Sequence, residues 1–302
     1  MKHPAFSGIC MVLCAAVLWG STGTAQSLAP AGLSAYWVGA LRLVIATAFF
    51  AAFMAWGPAR AVCASRLAGL PWHWVLLAGA CMATYNLSFF AGVKSLGVAV
   101  GTAIAIGSGP VWAGLLQMLT SRRPAAPEWW CGTLLAVGGG AAMVLQGGGR
   151  APVAPAGLML CLAAGLSYAA YALINKRLVD RHAPAVVTGA VFACAAGLAT
   201  PAAAALSGTF GTTGSGWAVL AYLGVVTTGV AYLLFSHALR HISGATGVTL
   251  ALGEPVTAFV LAIAVVHERP GPAAFAGLLA VLAGLALVVR AEVGATARVR
   301  GA

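Results

Sequence analysis

Charge is what this sequence has least of. Only 7% of its 302 residues are charged and five are acidic, against roughly a quarter charged in an ordinary soluble domain. A chain this poor in charge cannot dress a water-facing surface, and lipid is the solvent in which such a surface carries little penalty. The five acids, Glu128, Asp180, Glu254, Glu268 and Glu292, are scattered. They form no interfacial cluster with His or Lys of the kind a membrane-embedded enzyme needs. No Gly-x-x-x-x-Gly-Lys-Ser/Thr occurs, which argues against a nucleotide-driven pump in this chain. No Cys-x-x-Cys occurs either, and the cysteines number seven, so neither a zinc site nor a disulfide framework is indicated. Six of the seven lie in apolar runs, where cysteine packs as a small hydrophobe. No cofactor and no metal are expected.

What the chain does have is long apolar runs. Hydrophobic residues make up 61% and the mean hydropathy is +0.97. Ten stretches reach the length of a span, roughly 20 residues: 6–28, 35–56, 72–93, 98–119, 129–145, 156–174, 185–206, 217–239, 246–266 and 273–289. The first run is too long for a signal peptide and no clean cleavage site follows it, so it reads as an uncleaved helix. With the N-terminus in the cytoplasm, Lys94, Arg150 and Arg269 are the basic residues outside and Arg42 lies within a span. Every other Lys and Arg falls inside, as the positive-inside rule requires. Both termini are therefore expected in the cytoplasm. The net charge of +11 follows from that topology and not from nucleic-acid binding, since no basic stripe or stacking platform exists. Trp56, Trp72, Trp74, Trp129, Trp130 and Trp217 fall at the expected interfaces, as an aromatic belt does.

The chain repeats itself. A shift of 145 sets Gly97–Gly109-Pro110 on Ile242–Glu254-Pro255, Phe90 on Phe235, and Gly132 and Gly139 on Gly277 and Gly284; a shift of 149 sets Gly8 on Gly157 and Trp19 on Tyr168. Two units follow, residues 1–150 and 151–302, of five spans each. Five is odd, so the second unit enters the membrane inverted. The expected fold class is all-α integral membrane: ten transmembrane helices as two five-helix inverted-topology repeats, an architecture used for alternating access.

Leu18-Trp19-Gly20-Ser21, the Gly109-Pro110 and Glu254-Pro255 helices, and His267-Glu268-Arg269-Pro270 before a Gly-rich last span resemble the EamA-type exporters of the drug/metabolite transporter superfamily. Within them the chain resembles the YddG-type amino-acid exporters. The likeness spans essentially the whole chain. It implies ten helices in an inner membrane and efflux of small metabolites, often amino acids. One departure is that Arg123 stands where the second copy has Glu268.

Several residues are candidates for the work. Glu254 is a carboxylate within a span, which is expensive and tends to face a cavity or a partner. It sits about 12 Å from the cytoplasmic helix end, at 1.5 Å per residue. Pro255 beside it lacks an N–H and releases a carbonyl one turn back. Glu254 could carry a proton, hold a substrate ammonium, or serve only as a hydrogen-bonded strut. Arg42 lies about 10 Å from the outer edge, a different depth, so no direct pair with Glu254 is expected; snorkelling, a loop partner and a substrate carboxylate are its alternatives. His237 is either interfacial or a proton relay. Trp19, Tyr85, Trp112, Tyr168 and Tyr171, with Asn86, are expected to line a mostly apolar cavity suited to a neutral amino acid, packing being the alternative for each aromatic. Gly20, Pro110 and Pro255 are the expected hinges. The function that fits is a secondary transporter exporting small metabolites, foremost neutral or aromatic amino acids. A drug or nucleoside effluxer of the same fold and a membrane-embedded enzyme are the alternatives. The partners are a small-molecule substrate and the lipid bilayer; the oligomeric state is left open.

Overall fold

The computed structural model describes residues 4–28, 30, 32–56, 67–121, 125–145, 154–265 and 271–301. Its regular structure there is helical throughout. In chain order the helices are α1 (Pro4–Gly20), α2 (Thr22–Ser27), α3 (Ala35–Ala55), α4 (Trp72–Leu96), α5 (Val98–Ser121), α6 (Pro127–Leu145), α7 (Pro155–Val179), α8 (Pro184–Ser207), α9 (Gly214–Gly224), a π-helical turn (Val225–Val230), α10 (Ala231–Ala238), α11 (Gly244–Leu250), α12 (Gly253–Ala264) and α13 (Pro272–Gly301). Proline opens α7 and α8, where its missing N–H would have had no helical acceptor anyway. Gly97 (φ 85°) and Gly208 (φ 70°) end α4 and α8 in a backbone region that disfavours any side chain.

Among the described residues nine helical segments are long and apolar enough to cross a bilayer. The tenth expected span is α6, whose 19 residues extend about 28 Å, close to a ~30 Å hydrocarbon core. Large apolar side chains face outward, Trp56 at 90% and Leu119 at 76% exposure, which is the surface a lipid-facing helix presents. Trp56, Trp72 and Trp217 keep exposed positions, but Trp129 does not. It is buried and donates its indole Nε1–H to Thr246 Oγ1 at 3.2 Å, so it is a packing residue and not part of a lipid belt. The end loops that carry Arg123 and Glu268 lie outside the described residues.

The most extensive helix packings all join a helix from before residue 150 to one from after it: α6 on α13, α4 on α7, α5 on α7, α3 on α8, α4 on α8 and α1 on α10. The pattern survives exchange of the halves. Counting spans from one to ten, span three on span six is matched by span eight on span one. Span four on six is matched by nine on one, and three on seven by eight on two. The regularity of the backbone does not share this symmetry. Span four (α5) runs unbroken through Pro110, whereas its counterpart is interrupted at Ala251 and Leu252 between α11 and α12. Span six (α7) is continuous, whereas span one stops at Gly20 and resumes at Thr22. The π-turn sits in span eight alone. Span one packs on both span eight and span nine, so the irregular backbone lies in span one and against it.

The start of α11 is pinned from three sides. Glu292 on α13 accepts from the Ser243 N–H (2.8 Å), the Ser243 hydroxyl (3.1 Å) and the Thr246 hydroxyl (2.6 Å). Gln117 on α5 accepts the Ala245 N–H at 3.2 Å, and Trp129 on α6 reaches Thr246. Hydrogen bonds to a charged group contribute about 1.5–3 kcal/mol each in favourable cases. Glu292→Ala is therefore expected to lower the melting temperature of the purified protein by several degrees, while Glu292→Gln keeps part of the stability. Equal melting of wild type and the alanine variant would show the cap to be idle.

Candidate functional site

Between the regular cluster of spans three, four and six and the irregular cluster of spans one, eight and nine lies a narrow cavity of about 40 Å³. It has room for a few waters. Trp19 and Thr22 come from span one, Arg42 from span two, Tyr85 and Phe89 from span three. Ala105 and Ile106 come from span four, Tyr168 from span six, Tyr232 from span eight, and Val248, Ala251 and Glu254 from span nine. Helices that cross near their midpoints bring these side chains together from across the whole sequence.

The walls are aromatic. Trp19 meets Tyr168, Tyr232 and Phe235 edge-on, with ring centroids 6.4, 5.1 and 5.6 Å apart, and Tyr85 meets Tyr168 at 5.2 Å. Edge-to-face contacts of this kind fix ring orientation. Two polar atoms in this wall are buried without a partner, Trp19 Nε1 and the Tyr168 hydroxyl. Buried donors left unpaired are unusual in folded proteins, and each points to an unseen partner or a functional use.

Glu254 lies in the first turn of α12, where a carboxylate is favoured by the helix dipole. The break before it has a close neighbour: a Cβ placed on Gly20 would come within 2.7 Å of the Glu254 carbonyl oxygen and 2.5 Å of Thr257 Cβ. Glycine at position 20 is what lets the end of α1 rest on the start of α12. The Pro255 ring removes the N–H that would have bonded Ala251 O, and the Glu254 N–H bonds that oxygen instead, at 2.9 Å. The equivalent residue before Pro110 is Ile106, whose helical N–H partner is likewise missing. Ile106 and Ala251 both line the cavity. Gly109 is the counterpart of Glu254 in the first copy of the repeat, so among the described residues only one half contributes a carboxylate to the cavity.

Arg42 does not snorkel. It is 6% exposed, donates from Nε to Thr228 Oγ1 at 2.8 Å, and lies over the Phe90 ring at 5.8 Å. It lines the same cavity as Glu254, yet no salt bridge joins the two among the described residues. The difference in depth nevertheless did not separate them, because a long arginine side chain reaches into the cavity that Glu254 also lines.

Other candidates fall elsewhere. Tyr171 is fully buried behind the aromatic wall, where Asn175 Nδ2 reaches its hydroxyl at 3.3 Å and Ser236 at 2.9 Å. Asn86 points away from the cavity, its Nδ2–H donating to Met82 O at 2.9 Å, with α3 packed close at Gly39. Trp112 lies on another face of α5, in a shallow apolar groove with Leu115, Val137 and Leu162, so the structure does not bring it to Glu254. His237 pairs its Nδ1 with Leu233 O at 2.7 Å, one turn back on its own helix, and does not line the cavity. Tyr232, Thr22 and Phe89 do line it, and sequence reasoning passed over them. Tyr232 carried a usable signal, an aromatic in mid-span away from any belt.

A many-span helical bundle enclosing a polar, aromatic-walled cavity at the crossing of broken helices is the architecture of a membrane transporter. The model of the EamA-like transporter family matches twice, over residues 6–145 and 155–290, and the chain belongs to that family of the drug/metabolite transporter superfamily. The chain is 35% identical over 277 residues to the uncharacterized transporter YwfM of Bacillus subtilis strain 168, covering 92% of both chains. It is 27% identical over 219 residues to the uncharacterized protein PA1977 of Pseudomonas aeruginosa, covering 72% of this chain and 74% of that one. A solved crystal structure superposes with a TM-score of 0.79 at 20% identity, covering 93% of this chain and 97% of the other. That likeness shows the fold. The protein is a multi-pass membrane transporter and not an enzyme; its substrate is a small molecule bound within the membrane.

Proposed function

We propose that the protein is a secondary exporter of neutral amino acids, foremost aromatic ones, working by alternating access in the inner membrane with both termini in the cytoplasm. The observation that carries this reading is that one guanidinium and one carboxylate, Arg42 and Glu254, line the same aromatic-walled cavity without a salt bridge to each other. A zwitterion with an apolar side chain complements that lining, and since about 40 Å³ holds only a few waters, it binds when alternating access widens the cavity. In this reading Glu254, with the Ile106 carbonyl that Pro110 leaves without its helical partner, receives the ammonium or a coupled proton. The two five-span units are inserted in opposite senses. The odd number of spans, the one-sided placement of Lys and Arg, and packing that survives exchange of the halves all support this. The breaks at Gly20 and before Pro255 are the hinges; continuous α5 makes Pro110 a weaker one.

The test is uptake into proteoliposomes against radiolabelled neutral amino acids, a nucleoside and a polyamine. Saturable uptake of aromatic or other neutral amino acids is expected. Uptake of the nucleoside alone would move the protein to the nucleoside-effluxer reading. Uptake of the polyamine alone would contradict a cavity with a single carboxylate.

A further inference from the structure

The π-turn in span eight has one visible consequence, and it concerns Arg42. Val225–Val230 widens the helix so that Thr227 and Thr228 are both buried. The Thr228 hydroxyl donates to Leu223 O, five residues back, at 2.6 Å. Its hydroxyl proton thus committed, the oxygen accepts from Arg42 Nε at 2.8 Å. Gly224 and Gly229 allow α3 to lie this close. A Cβ on Gly224 would fall 2.5 Å from Ile45 Cβ and 3.3 Å from Arg42 O, and one on Gly229 would fall 2.6 Å from the Phe49 ring. Arg42 is thus held by its inner nitrogen and by the Phe90 face. Its two terminal nitrogens have no hydrogen-bond or ion-pair partner among the described residues. A guanidinium fixed at Nε still presents its outer N–H edge, the geometry that receives a carboxylate in bidentate fashion. A buried cation is otherwise costly, so an anionic partner is its natural complement.

We infer that Arg42 is the carboxylate-binding residue of the transport cavity, with Thr228 in the π-turn as its positioning residue, so that the protein selects carboxylate-bearing substrates over the corresponding amines. The inference rests on the central cavity being the substrate site, and it fixes the orientation of the bound zwitterion: carboxylate toward spans two and eight, ammonium toward Glu254 in span nine.

The experiment compares proteoliposome uptake of phenylalanine, phenylpropionate, phenylalaninamide and phenethylamine by wild type, Arg42→Gln, Arg42→Lys, Thr228→Val and Thr228→Ser. Each variant is checked for a monodisperse elution profile in detergent. Wild type is expected to take up phenylalanine and to exclude the amide and the amine. Arg42→Gln should lose phenylalanine uptake by about 30-fold or more in kcat/KM, and Arg42→Lys should recover part of it. Thr228→Val should raise KM for phenylalanine about tenfold with kcat kept, the scale of one lost hydrogen bond to a charged group, and Thr228→Ser should restore it. Phenylalanine uptake with unchanged selectivity in both Arg42→Gln and Thr228→Val would overturn the inference while leaving the amino-acid reading intact. Phenylpropionate uptake that depends on Arg42, without uptake of phenylalanine, would keep the anchor and remove the amino-acid reading. A folded wild-type protein that moves neither carboxylate overturns both. Should Arg42→Gln fail to fold, Thr228→Val carries the decision.

Discussion

Glu254→Gln is expected to flatten the pH profile of transport. In the proposed function the ionised carboxylate attracts the substrate ammonium, and a proton taken from solution competes for the same site. Uptake should therefore fall as pH is lowered. Glutamine keeps the shape and one oxygen but neither the charge nor the exchangeable proton. The variant should work at the low, flat rate that wild type approaches in acid, about 30-fold or more below wild type at alkaline pH, the scale of removing one partner of a buried charged contact. The position supports a large effect. Glu254 is the one acid lining the cavity, its pseudo-symmetric counterpart is Gly109, and His237 is turned to its own backbone. Among the described residues no second carboxylate lines the cavity. Transport by the glutamine variant with the wild-type pH profile would remove both the coupling role and the ammonium-binding role.

The second large effect concerns folding. Gly132 and Gly139 on α6 face Gly284 and Gly277 on α13, each pair seven residues apart and so two turns along one helix face. A Cβ on Gly139 would sit 2.6 Å from Gly277 O, and one on Gly277 would sit 2.6 Å from Gly139 O. A Cβ on Gly284 would sit 2.5 Å from Gly132 O, and one on Gly132 would sit 2.7 Å from Gly284 O. The obstructing atoms are backbone, which cannot rotate away as a side chain does. Arg290 and Glu128 close the same helix pair at 3.0 Å. In lipid, where no hydrophobic force drives helices together, this close approach is the main source of their association. Gly139→Val and Gly284→Val should each destabilise the fold by at least 1–3 kcal/mol, roughly the scale of overpacking. The loss should appear as a depleted monodisperse peak and a lower melting temperature in detergent. Gly138→Val, where a Cβ meets nothing within 4 Å, is the control and should match wild type. Equal behaviour of positions 138 and 139 would contradict the contact.

Much of this was legible in the sequence because lipid imposes length and composition. Ten apolar runs became ten helical spans, and the shift of 145 that aligned Gly132 and Gly139 with Gly277 and Gly284 also identified residues that touch. Glu254, Trp19, Tyr85 and Tyr168 stood out as polar or aromatic groups in mid-span and now line one cavity. Spacing along a helix could not tell which face of α5 turns inward, so Trp112 was grouped with them although it lies in an outer groove. It could not place Tyr171 and Asn86 one layer behind the wall either. Arg42 was visible as the sole base within a span, but depth counted in residues ignores the reach of its side chain. The π-turn had no sequence signal at all. Gly224, Thr227, Thr228 and Gly229 are ordinary in an apolar helix, and only the packing of α3 against them shows why the helix widens there. The asymmetry between unbroken α5 and divided α11 and α12 was hidden for a similar reason. Both carry proline at the corresponding place, and only the divided one has the end of α1 resting on it at Gly20.

In the proposed function the transported molecule sits in the cavity at Glu254. Thr22 lines it and is similar in size to cysteine. In a background without the native cysteines, the rate of Thr22→Cys alkylation by a small maleimide should be measured in proteoliposomes with increasing phenylalanine. Protection is expected to saturate over the same concentrations as uptake, with none from a compound that is not transported. Alkylation at an unchanged rate while phenylalanine is being transported would place the substrate path elsewhere and contradict the account.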